Sequence, residues 1–232
     1  MEFFLDTANL NEIQRWLGFG VIDGVTTNPT IMMRGGITDV MGHTREIART
    51  IGSLPLSAEV TTNDFDEMIV EARQLAAIAP NIVIKIPIIN ETGGPALGVI
   101  HTLATEGIKV NATAILSFGQ AMLAAKAGAT YVSIFAGRIA DEGGDSSAVI
   151  ARTADWLERW DSPARIIVGS VRETMNVQDA AEAGAHIITV PPALLEKLID
   201  HRYSRDTVRG FNEDARAVRL AAQAAQTAQA GR

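Results

Sequence analysis

Apolar residues in this chain fall into short segments of two alternating kinds. One kind is β-rich: Phe3–Thr7, Gly24–Asn28, Leu54–Val60, Ile82–Ile88, Ile108–Ala114, Tyr131–Gly137, Arg165–Val171 and His186–Pro191. The other carries apolar residues at helical spacing: Asn9–Leu17, Thr38–Ile51, Asp64–Ala79, Gly94–Glu106, Ser117–Ala127, Ser146–Trp160, Val177–Ala183 and Pro192–Asp200. Asp64 has the place and chemistry of a helix N-cap, and Gly107, Gly128 and Gly184 stand where glycines end helices before a strand. Strands that alternate with helices are parallel, with helical crossovers. Eight such units close naturally into a (β/α)8 TIM barrel, and an open doubly wound sheet is the alternative. The barrel is expected over 1–210 as a single domain, because no linker or low-complexity tract interrupts it. From 211 to 232 the chain turns rich in Ala, Gln and Arg, and Phe211–Ala230 predicts an added helix with a weak, mostly alanine stripe. Such a stripe suits a surface or a neighbouring subunit, and the last few residues are expected to fray.

Composition narrows the function more than the fold. The 232 residues are 47% hydrophobic, which excludes disorder and supplies a sizeable core. The net charge of −7 comes with no basic run, so neither nucleic acid nor an anionic membrane is an expected partner. There is no cysteine, which removes disulfides and thiolate metal sites and agrees with a cytoplasmic location. The first residues lack a signal-peptide pattern, and no apolar run approaches the ~20 residues that span a membrane. No glycine-rich dinucleotide or P-loop fingerprint occurs.

The chemistry concentrates at strand ends. Ile82-Val83-Ile84-Lys85-Ile86-Pro87-Ile88 is an apolar run with one lysine in it. Burying an ammonium is costly, and a neutral lysine amine is a nucleophile that forms Schiff bases with carbonyl compounds. The plainer alternative is a strand-end lysine that reaches water or pairs with a carboxylate. Residues two apart on a strand share a face, and the polar residues keep that period. Thr26 with Asn28, Asn111 with Thr113, Ser133 with Phe135, and Ser170 with Arg172 are such pairs; Arg138 follows the sixth strand. Asp6 ends the first strand, Glu59 the third, and Lys85 lies towards the end of the fourth. In a barrel these ends form the active-site rim, so seven strands would bring an acid, a base, amides, hydroxyls and guanidiniums to one place.

Six motifs on different strands carry a resemblance. They are Phe4-Leu5-Asp6-Thr7-Ala8-Asn9, Gly24-Val25-Thr26-Thr27-Asn28-Pro29, Ile84-Lys85-Ile86-Pro87, Val110-Asn111-Ala112-Thr113-Ala114-Ile115, Phe135-Ala136-Gly137-Arg138-Ile139 and Gly169-Ser170-Val171-Arg172. In order and spacing, from about residue 3 to about residue 200, they resemble the transaldolase family, best its small members beside the fructose-6-phosphate aldolases. The resemblance implies a class I aldolase barrel without metal or other cofactor, acting on sugar phosphates in the pentose phosphate pathway. It implies that Lys85 forms the Schiff base and that Asp6 exchanges a proton with the C4 hydroxyl. Glu59 with Thr113 would serve the water of Schiff-base formation and hydrolysis. Thr26, Asn28, Asn111, Ser133 and Phe135 would line the substrate, and Arg138, Ser170 and Arg172 would hold its phosphate. A homo-oligomer, pentamer or decamer, is implied too.

Two positions separate the branches of that family. The aldolases are expected to carry glutamine at the position of Glu59 and tyrosine at that of Phe135; this chain has the transaldolase pair, which favours transfer to an aldehyde acceptor. An aldolase of the fructose-6-phosphate type, a transaldolase making an unusual long-chain sugar and a non-catalytic sugar-phosphate-binding barrel are the other readings. Gly169-Ser170-Val171-Arg172-Glu173 departs from the usual Ala-Ser-Phe-Arg-Asn, the Asn90–Pro95 loop differs, and the tail lacks the family's tryptophan. His43, His101, His186 and His201 show no ligand spacing and read as structural. Trp16, Trp156, Trp160 and the Met32-Met33 pair read as packing.

Overall fold

The computed structural model describes residues 1–230. In order the elements are β1 (Glu2–Asp6), α1 (Leu10–Gly18), β2 (Gly24–Thr26), α2 (Pro29–Arg34), α3 (Val40–Ile51), β3 (Leu56–Glu59), α4 (Phe65–Ala76) and β4 (Ile82–Pro87). There follow α5 (Leu97–Thr105), β5 (Val110–Ile115), α6 (Phe118–Lys126), β6 (Tyr131–Phe135), α7 (Ala136–Asp141) and α8 (Ser146–Arg159). The last are β7 (Arg165–Gly169), α9 (Thr174–Glu182), β8 (Ile187–Val190), α10 (Pro192–Ile199) and α11 (Arg202–Ala230). The eight strands pair in parallel in sequence order, and β8 returns to β1, so the barrel is closed. The open-sheet alternative is thereby removed.

The strands are apolar on both sides because both sides are covered. On β4, Ile84 and Ile86 are wholly buried, while Val83 joins Phe4, Tyr131, Ile167 and Ile187 in one cluster inside the barrel. That cluster fills a layer of the interior. Two residues further along the same five strands stand Asp6, Lys85, Ser133, Gly169 and Thr189, all lining one cleft. The period of two thus converts an apolar floor into a polar mouth within a single pleat. Gly24 is required at floor level, since a Cβ there would lie 2.6 Å from the Phe4 ring.

Helix ends follow their local chemistry. Asp64 accepts from the amides of Asp66 and Glu67, and Asp145 caps α8 through Ala148. Gly107, Gly128 and Gly184 follow the ends of α5, α6 and α9 with positive φ.

Several expected boundaries shift. β6 stops at Phe135 because α7 starts at the next residue, and β2 stops at Thr26, two residues ahead of α2; at six residues both helices are too short to show a period. The helix expected from Gly94 begins at Leu97, after an antiparallel bridge of Ile89 to Pro95. Trp16 and Met32 are buried as packing residues, but Trp160 is 67% and Met33 71% exposed.

By compactness the chain divides after Leu194. Met1–Leu194 holds the barrel. From Leu195 onward the chain holds the end of α10 and the long α11, which begins at Arg202, ahead of the expected Phe211. α11 buries none of its described side chains and carries internal ion pairs of Asp206 with Arg202 and Arg209. The expected fraying of the last few residues falls in part on 231 and 232, outside the described residues. No described helix is long and apolar enough to cross a membrane.

Candidate active site

Lys85 is 6% exposed, and its amine has two partners: it lies 2.9 Å from Oε2 of Glu59 and donates to the carbonyl of Thr27 at 2.9 Å. The strand register explains the pairing, since Glu59 on β3 stands directly beside Lys85 on β4. An ion pair this buried is weak support for stability, because the desolvation of both charges offsets most of their attraction. An apolar pair would serve the fold at least as well, so the pair points to chemistry.

Asp6 stands at the end of β1 beside Thr26 of β2. The Thr26 hydroxyl donates to Oδ1 of Asp6 at 2.7 Å and lies 2.5 Å from the hydroxyl of Thr189. Burial pushes the Asp6 carboxyl above the usual range; Lys85 and the Thr26 hydrogen bond pull it back, and Glu59 adds to the rise. Two carboxylates in different settings thus share one cleft with the amine, an arrangement able to divide acid and base work at one pH.

The cleft over these groups measures about 520 Å³ and is also lined by Asn28, Arg34, Ser133, Phe135, Arg138 and Ser170. Asn28 is not on β2, as expected, but caps α2, accepting from the amide of Ile31. Pro29 ends the strand there because it suits the first turn of a helix. Asn111 and Thr113 are buried beside the cleft rather than lining it. Asn111 donates to the Ser57 hydroxyl at 3.2 Å, across the inward face of β4. Its Oδ1 and the Thr113 hydroxyl are buried without a protein partner, a state that marks a place for water or ligand. β5 slips register between Ala112 and Ile115, with Ala114 at φ 58°.

The far side is built on β6, α7 and β7. Ser170 has φ 58°, an uncommon conformation for a residue with a side chain. Its carbonyl accepts from the amide of Gly137 at 3.1 Å. A Cβ on Gly137 would lie 2.2 Å from that carbonyl oxygen and 3.0 Å from both the Ser170 hydroxyl and Nε of Arg172. Gly137, Ser170 and Arg172 are therefore packed tightly against one another, with Arg138 of α7 on the cleft wall beside them. Arg172 does not line the cleft itself. Asp141 takes both of its terminal nitrogens, Nη2 at 2.6 Å, and the pairing holds the Asp141 carboxyl below the usual range. Such a fork-to-fork pair fixes the guanidinium plane.

A family model described as Transaldolase/Fructose-6-phosphate aldolase matches residues 3–231. The chain belongs to this family. Relatives are named alike. One from Listeria monocytogenes serovar 1/2a, "Probable transaldolase 2", is 44% identical over 216 residues, covering 92% of this chain and 95% of its own length. "Probable transaldolase" proteins of Desulforudis audaxviator and of Thermus thermophilus are 42% and 40% identical, each over 92% of this chain and 97% of their own length. Membership makes the chain an aldolase-type enzyme on a TIM barrel.

Two residues in this transaldolase-family cleft escape a reading of the sequence. Thr189 sits in the run Ile187-Ile188-Thr189-Val190, where a threonine passes for one more β-branched strand residue. Its parity with Ile187 was the available signal. Arg34 looks like an ordinary last-turn arginine of a surface helix, yet it adds a second guanidinium to the cleft wall. Among the described residues no group of three or more His, Asp or Glu is gathered to hold a metal. His43 bonds the Ala8 carbonyl, and His186 accepts from the Ile166 amide.

Proposed function

We propose that the protein is a transaldolase, moving a dihydroxyacetone unit from a ketose phosphate to an aldose phosphate acceptor. The observation that carries this reading is the buried Lys85 amine, held between the Glu59 carboxylate and the Thr27 carbonyl in a cleft that also contains Asp6. Lys85 passes a proton to Glu59, the neutral amine attacks the C2 carbonyl of the donor, and the carbinolamine takes the proton back as it loses water to give an iminium. Asp6 takes the proton of the C4 hydroxyl; the C3–C4 bond breaks, its electron pair flows into the iminium, and the aldehyde leaves. The resulting enamine attacks the acceptor aldehyde, Asp6 returns the proton, and water releases the new ketose. The iminium receives the electron pair, so the step draws on no metal or other cofactor.

Glu59 beside the amine, with the Thr113 hydroxyl, handles the water of imine formation and hydrolysis. Asn28, Asn111, Ser133 and Thr26 hold or orient the polyol. The phosphate sits against the cleft wall that carries Ser170 and Arg138, with Arg172 packed behind it, remote from the reacting carbons, where its binding energy orients them. Phe135 lines the cleft and offers no proton, which favours transfer over simple aldol cleavage. As part of the same reading the chain works as a cytoplasmic homo-oligomer, a pentamer or decamer, which sedimentation will test. Fructose 6-phosphate given alone is expected to turn over little, and adding a four-carbon aldose phosphate is expected to release product continuously. Equal turnover without an acceptor would make the protein an aldolase instead.

A further inference from the structure

The Thr26 hydroxyl touches two oxygens and has one proton to give. An ionised Asp6 can only accept, so at 2.7 Å Thr26 donates to it. In the 2.5 Å contact between the two threonines, Thr189 must then be the donor. When Asp6 carries a proton the chain can run the other way: Asp6 donates to Thr26, and Thr26 donates to Thr189. Two hydroxyl rotations accomplish this, and no heavy atom moves. Without Thr189, one state leaves the Thr26 oxygen short of a donor and the other leaves its proton short of an acceptor. Thr26 is 2% and Thr189 7% exposed, so bulk water is a poor substitute.

The strand order makes this possible. β8 and β2 are the two neighbours of β1, and their inward hydroxyls meet over its inward face. The charged groups facing Asp6 are Lys85 from β4 and Glu59 from β3, with Arg34 and Arg138 on the walls of the same cleft; β2 and β8 present only hydroxyls. We infer that Thr189 is a positioning residue, holding Thr26 so that Asp6 keeps a hydrogen-bond partner both before and after it takes the substrate proton. The inference rests on the acid/base role proposed above for Asp6.

The test compares Thr189→Val, which keeps the shape, with Thr189→Ser, which keeps the hydroxyl. The carboxyl carbon of Asp6, assigned with Asp6→Asn, is titrated by NMR. In Thr189→Val its midpoint is expected to rise, because the charge-assisted bond of the ionised form loses more support than the neutral one. The acid limb of kcat/KM is expected to rise with it, kcat to fall roughly tenfold and KM to stay near its value, with Thr189→Ser restoring all three. An unchanged midpoint and acid limb, with only a lower Tm or a changed KM, would make Thr189 a packing residue and overturn the inference. The NMR titration needs no turnover, so it still decides the matter if the wild type shows no transaldolase activity and the functional reading fails. Thr189→Val should still give a borohydride-reducible adduct of the intact ketose on Lys85, because imine formation does not need Asp6.

Discussion

Replacing Gly137 by alanine tests the proposed phosphate end of the cleft at one atom. The added Cβ would lie 2.2 Å from the carbonyl oxygen of Ser170, where 3.0 Å is the practical limit, so the end of β7 and the start of α7 must part by about 1 Å. Neither side gives easily. Ser170 is already at φ 58°, and the Gly137 amide donates to the same carbonyl. Overpacking of this kind costs about 1–3 kcal/mol. For a chain of this size that lowers Tm by roughly 2–4 °C per kcal/mol. The functional effect is expected to be larger and selective. Parting the two elements moves the Ser170 hydroxyl away from Arg138 on the cleft wall, and a misplacement of about 1 Å can lower a rate on the order of a hundredfold. The assay is kcat/KM for fructose 6-phosphate against the unphosphorylated ketose, with a thermal melt of both proteins. The predicted result is a large loss for the phosphate ester and a small one for the free sugar. An equal loss for both, or none, would refute a phosphate site at Ser170 and Arg138.

Further tests address the reacting end. Asp6→Asn is expected to lower kcat by about 10²–10⁴-fold, the range for a lost general base. Because burial raises the folded-state Asp6 pKa above its unfolded value, its contribution to stability is full at low pH and lost as pH rises through the folded pKa. Asp6→Asn should accordingly be more stable than the wild type at neutral pH, with the advantage vanishing in acid; denaturant melts at several pH values read this. The same rise puts the acid limb of kcat/KM above the pH of an ordinary aspartate, and a limb in the ordinary range would contradict it. Phe135→Tyr places a phenol on the cleft wall and should raise acceptor-independent cleavage relative to transfer; an unchanged ratio would remove Phe135 from the choice of reaction.

The barrel and the gathering of Asp6, Glu59 and Lys85 in one cleft are legible for one reason. On a strand the period is two, so the positions of Asp6, Glu59 and Lys85 near their strand ends determine which face they share once the strands are recognised. The alternation of strand and helix supplied the rest of the architecture. What escaped depends on contacts between elements. Nothing in Arg172 itself says that Asp141, arriving on a six-residue helix, takes its terminal nitrogens. The run Val25-Thr26-Thr27 favours a strand that carries on to Asn28, while Pro29 decides for a helix and makes Asn28 its cap. Nor does the run Val110-Asn111-Ala112-Thr113 say that the Thr113 hydroxyl ends up buried without a protein partner. α11 starts earlier than expected because Arg202–Gly210 is too polar to show a stripe, and helical backbone does not require one.

The central claim is a Schiff base on Lys85, and reductive trapping tests it most directly. The protein is incubated with fructose 6-phosphate, reduced with borohydride, digested and weighed by mass spectrometry. The account predicts an added dihydroxyacetone unit on the peptide carrying Lys85, and none in Lys85→Ala. Failure to trap any adduct at Lys85 with this or related ketose phosphates, or an adduct on another lysine, would contradict it.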